Sequence, residues 1–190
     1  SLHLSFVVLL EVLRLLPTIN SNNRTHTNKH PANKQTANKQ PMVTNMGILS
    51  KAGHKWSHNL AAGGAGLVIV ESTPLSCFFP GAYGPPRFTA ETLAPLAAAI
   101  HAGGARAVLQ VFPTLDSIPP RAAPATVPVE SLVELAAKFG EAARVCREAG
   151  FDGIEAYGAH GFILSQFSCR VTNRRTDRYG TELPTLAMEL

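Results

Sequence analysis

The residues able to do chemistry gather in one block, GFDGIEAYGAHGFILSQFSCRVTNRRTDRYG at 150–180. The apolar run ending at Tyr157 passes into Gly158-Ala159-His160-Gly161. Tyr157 and His160 therefore fall at the C-terminal end of a strand and in the loop beyond it. In an α/β barrel that end carries the catalytic groups. An imidazole there can donate a hydrogen bond to a substrate oxygen and stabilise negative charge as it develops. The same spacing also fits a histidine that merely caps the loop. Asn173, Arg174, Arg175, Asp177 and Arg178 could hold a phosphate, but the interleaved Asn and Asp favour a loop satisfied within itself. Cys77, Cys146 and Cys169 lack metal-ligand or CxxC spacing, and Cys146 sits on the apolar face of a helix.

Repeated helix-to-strand junctions must position this block. Ala62-Gly63-Gly64 leads to LVIVE at 67–71, Ala102-Gly103-Gly104 to RAVLQVF at 106–112, and Ala149-Gly150 to a strand at 153–157. Glycine just past a helix end takes the left-handed conformation without a Cβ penalty, so each junction predicts a stop and a turn into a strand. Gly63-Gly64-Ala65-Gly66 is a helix stop and not a phosphate loop, because phosphate-cradling glycines follow a strand and open a helix. Thr89 is placed to cap a helix carrying Leu93, Leu96, Ala97 and Ile100. A second helix over 130–149 has Leu132, Leu135, Ala136, Phe139, Ala142 and Cys146 on one face. The strands are apolar almost throughout, which predicts burial on both faces and parallel pairing under helices. Alternation of strand and helix implies successive βαβ units, either about half of a (β/α)8 barrel or a small doubly wound sheet.

Composition bounds the rest. The chain has 190 residues, 45% of them hydrophobic, too many for a disordered chain as a whole. No apolar run reaches the roughly 18 residues of a membrane span. The net charge is +4, and residues 1–50 hold all of it, with five Lys or Arg against one Glu. Residues 51–190 are neutral, which excludes a nucleic-acid or membrane-surface role for the folded part. Ser1 to Leu16 reads as a chance apolar helix or mistranslated end in preference to a signal peptide. Residues 20–40, with ANKQ at 32–35 and again at 37–40, form a low-complexity segment expected to be disordered. The cysteine usage fits a reducing compartment, the cytoplasm.

The block from 150 to 180 resembles the Old Yellow Enzyme family of flavin-dependent NAD(P)H oxidoreductases, in which GFDGVEIH runs into GAHGYLLSQF and then TNRRTDEYGG. Other segments are similar in order and spacing: Pro41 to Asn45 to the end of the first barrel strand, Ala62 to Thr73 to the second, and His101 to Val111 to the third. The resemblance implies that residues 41–190 form the first part of an α/β TIM (β/α)8 barrel, preceded by a tail over 1–40. It further implies FMN at the C-terminal face, NAD(P)H as reductant, and hydride transfer to a small activated alkene or enone. On this basis Pro41, Met42 and Val43 lie against the flavin, Ser72 approaches it, and Gln110 meets its pyrimidine edge. Tyr157 and His160 would bind the substrate carbonyl oxygen.

The departures bear on mechanism. Tyr157 stands where the family has the first histidine of its substrate-binding pair, and Phe162 where it has a proton-donating tyrosine. Val111-Phe112-Pro113-Thr114 replaces the family's His-Ala-Gly-Arg loop, and Thr181 its second glycine. An alternative reading is therefore a non-catalytic or truncated remnant of the barrel. Strands five to eight are missing from the resemblance, and loops after strands seven and eight often hold a phosphate. These 190 residues alone are expected to bind FMN weakly or not at all.

Overall fold

The computed structural model describes residues 47–81, 86–115, 117–119, 121–180 and 186. The expectations for residues 1–40 and for Pro41, Met42 and Val43 lie outside these residues.

Helices and strands alternate: α1 Lys51–Ala62, β1 Leu67–Pro74, α2 Ala90–Ala102, β2 Arg106–Phe112, α3 Val129–Glu148, β3 Gly153–Ala156 and α4 Ile163–Ser168. The strands form a parallel sheet in the order β1-β2-β3. Ser50 caps α1 by accepting from the Gly53 amide at 3.1 Å. Thr89 and Thr92 make a reciprocal capping box at the start of α2. Leu93, Leu96, Ala97 and Ile100 of α2 are all buried, as are Leu132, Leu135, Phe139, Ala142 and Cys146 of α3. They pack with Val70, Leu109, Val111 and Ile154 into one hydrophobic core on one face of the sheet.

Burial of strands on both faces does not hold for β1. Its residues alternate, with Val68 and Val70 buried while Leu67 and Ile69 are 41% and 43% exposed. The helices cover one face, and among the described residues no helix covers the face that Leu67 and Ile69 share. Val108, in register with Ile69 and Gly153, extends this second face across the sheet.

The helix stops also differ in detail from the sequence expectation. Gly63 and Gly103 keep negative φ, at −74° and −82°, and the left-handed turn falls one residue later, at Gly64 and Gly104. Gly103 is needed for a different reason. A Cβ there would sit 2.5 Å from the Ala61 Cβ, so glycine allows α2 to approach α1. Gly150 is left-handed, as its position after Ala149 predicts.

A clasp closes the N-terminal end of the sheet. The Asp152 carboxylate accepts from the Ala107 amide at 2.8 Å, from Arg106 at 2.6 Å and from His101 Nε2 at 2.8 Å. It ties the starts of β2 and β3 together at the end opposite Tyr157. Among the described residues no helix is long and apolar enough to cross a membrane.

Candidate active site

The parallel register brings side chains into tiers on the face left open by the helices. Gln110 of β2 is paired with Glu155 of β3, and the Gln110 Nε2 donates to Glu155 Oε1 at 2.8 Å. Glu155 is buried to 4% exposure, although it interrupts an otherwise apolar strand. On the other side of Gln110, β1 is irregular. Val70 pairs with Leu109 and Thr73 with Val111, so Glu71 and Ser72 together lie opposite Gln110. Such a bulge bends a strand and re-aims its side chains, and bulges are over-represented beside active sites. Glu71 is exposed, and partial desolvation of its carboxyl pushes its pKa upward. The Ser72 hydroxyl is buried with no hydrogen-bond partner among the described residues.

A second tier stands two residues further along each strand, about 7 Å on. Phe112 of β2 lies 5.6 Å from the Tyr157 ring and meets Phe162 edge-on at 4.5 Å. The Tyr157 Oη and His160 Nδ1 are 2.5 Å apart. The Arg121 guanidinium covers the Phe162 ring at 4.7 Å. His160 has φ of +56° and Gly161 follows at +71°, so the loop turns back on two consecutive left-handed residues. A non-glycine residue in that region costs about 1–3 kcal/mol and is found where its surroundings hold it.

The loop beyond α4 is satisfied partly within itself, as expected, and partly by the segment before α3. Arg175 pairs with Asp177 and donates to the Pro124 and Val127 carbonyls, at 2.6 Å each. Asn173 Nδ2 donates to the Phe167 and Tyr179 carbonyls at 2.8 and 2.7 Å. The bond from Arg175 holds the Asp177 carboxyl below its ordinary pKa. Cys146 is core, and burial pushes its thiol up to about 12.

Of the residues singled out in the sequence, Ser72 and Gln110 share one tier, and Tyr157 and His160 meet in the next. Glu155, Phe112 and Arg121 were not singled out. A carboxylate inside the short apolar strand GIEA was the available signal for Glu155, and Phe112 shares the alternation of Gln110. Arg121 carried no signal, because only the fold of the loop before α3 brings it to Phe162.

A buried hydroxyl without a partner costs about 1–3 kcal/mol. Beside it, Gln110 offers a carbonyl oxygen and an amide in one plane. This pairing suits a planar heterocycle with alternating carbonyl and N–H groups, which is the pyrimidine part of a flavin. A family model for the NADH:flavin oxidoreductase / NADH oxidase family matches residues 44–183. The chain belongs to this family. The family's cofactor is FMN, with NAD(P)H as reductant.

Among relatives of the chain, a metal reductase of Desulforamulus reducens is 33% identical over 145 residues, covering 65% of this chain and 22% of the relative. An NADPH dehydrogenase of Listeria welshimeri is 36% identical over 141 residues, covering 63% and 41%. The chain thus spans less than half the length of these relatives. The fold is similar to that of Old Yellow Enzyme from Pichia sp., with a TM-score of 0.52 at 23% identity over 71% of this chain and 44% of that one.

Proposed function

We propose that the chain contributes the flavin-facing and substrate-binding wall of an FMN-dependent NAD(P)H oxidoreductase that reduces an activated alkene or enone. The observation that carries this reading is the stacking of two tiers: Gln110 with the unpartnered Ser72 hydroxyl, then Tyr157 hydrogen-bonded to His160. Residues 41–190 are assigned to the first part of a TIM barrel, with 1–40 as a separate tail. The free thiols of Cys77, Cys146 and Cys169 fit a cytoplasmic setting.

When bound, FMN would accept hydride from NAD(P)H and pass it to the acceptor. Ser72 and Gln110 would hold its pyrimidine edge, and Pro41, Met42 and Val43 are assigned to the ring. Tyr157 and His160 would bind the acceptor's carbonyl oxygen. One of Tyr157 Oη and His160 Nδ1 donates to the other, which holds the two side chains together as one polar group. A donor aimed at the carbonyl oxygen is worth most where negative charge develops as hydride adds to the alkene. Phe112 and Phe162 would exclude water beside that oxygen.

A second reading, a non-catalytic remnant of the barrel, is favoured by Phe162, which has no proton to deliver. Anaerobic incubation with excess FMN, NADPH and 2-cyclohexenone separates the two. Saturated ketone formed by the wild type and lost in His160→Ala supports the enzyme. No product, or product indifferent to that substitution, supports the remnant.

A further inference from the structure

We infer that Glu155 is a positioning residue that locks the orientation of the Gln110 amide, and so fixes the order in which Gln110 presents acceptor and donor to a flavin imide. The inference rests on the FMN reading above for its ligand, and on the geometry for the lock. A carboxylate only accepts, so the end of the Gln110 amide that meets Glu155 at 2.8 Å is Nε2. A 180° flip would set the Gln110 oxygen against a buried carboxylate and lose a charge-assisted bond. Backbone pairing of the same two residues fixes their Cα positions across the sheet, so the side chains meet without a long, mobile reach. With Nε2 committed, Oε1 and the second amide hydrogen remain in fixed order. Oε1 then suits the imide N–H, and the remaining amide hydrogen a neighbouring flavin carbonyl. Glu71, the other acid opposite Gln110, lies on the exposed part of β1 and makes no bond to it.

Two readouts test this on the full chain. In the absence of flavin, nitrogen-15 NMR should show the Gln110 side-chain amide exchanging slowly with solvent, with fast exchange in Glu155→Leu and intermediate exchange in Glu155→Gln. In fluorescence titration with FMN, Glu155→Leu should weaken binding about tenfold or more. In a Gln110→Leu background the same substitution should add nothing. Unchanged amide exchange in Glu155→Leu overturns the proposal. So does an equal loss of FMN affinity with and without Gln110, because Glu155 would then act through general packing. If circular dichroism shows Glu155→Leu unfolded, Glu155→Gln decides by the same exchange measurement. Glu155-dependent slow exchange in a chain that binds no FMN upholds the lock and overturns the cofactor reading instead.

Discussion

The Tyr157 hydroxyl and the His160 Nδ1 lie 2.5 Å apart at the C-terminal end of β3, joined by a loop that holds His160 in left-handed backbone. The tyrosine stands where the family has a histidine, and it keeps a polar hydrogen in the pair. Tyr157→Phe removes that hydrogen and leaves the ring packing on Phe112. With FMN supplied, the rate of 2-cyclohexenone reduction should fall about 100-fold, in keeping with loss of one donor to a developing oxyanion.

The conformation of His160 gives a separate expectation. Asn tolerates left-handed backbone better than most residues and retains a polar side chain, whereas a β-branched residue resists it. Thermal unfolding should show His160→Asn close to the wild type and His160→Val lower in stability by about 1–2 kcal/mol.

Phe162 packs edge-on to Phe112 and beneath Arg121, within the tier that would receive the acceptor. Phe162→Tyr restores a proton donor at nearly constant volume. Single-turnover reoxidation of reduced FMN by 2-cyclohexenone should accelerate by about 100-fold. No change would favour the remnant reading.

Acid stability should depend on Asp152. Burial raises its pKa, but the Ala107 amide, His101 and Arg106 together outweigh this and leave it lowered. A carboxylate depressed in the folded state contributes stability that is complete above its unfolded pKa and is lost as pH falls through the folded value. Asp152→Asn should therefore destabilise the chain at neutral pH and flatten the loss of stability below the ordinary carboxylate range. Urea unfolding across pH 2–7 measures both effects.

The sequence made the helix-to-strand rhythm legible because glycine stops and apolar spacing are local signals. Strand β2 at 106–112 and the buried face of α3 follow directly from them. Exposure of Leu67 and Ile69 was not legible, since a run such as LVIV does not reveal whether both sheet faces are covered. The need for glycine at Gly103, which is not itself left-handed, depends on how closely α2 approaches α1, a tertiary contact. In the site, Tyr157 and His160 are three residues apart and readable. The Gln110–Glu155 bond joins residues 45 apart, and only the strand register brings them together.

The central claim is that Gln110 and its neighbours recognise FMN. FMN fluorescence titrated with the purified 190-residue chain tests it most directly. The open face of the sheet and the exposed Leu67 and Ile69 lead to an expectation of saturable but weak binding, with Kd above about 1 μM, or less than about 8 kcal/mol of affinity. Gln110→Leu should weaken that binding about tenfold or more while leaving circular dichroism unchanged. Absence of saturable binding, or binding of equal strength in Gln110→Leu, would contradict the account.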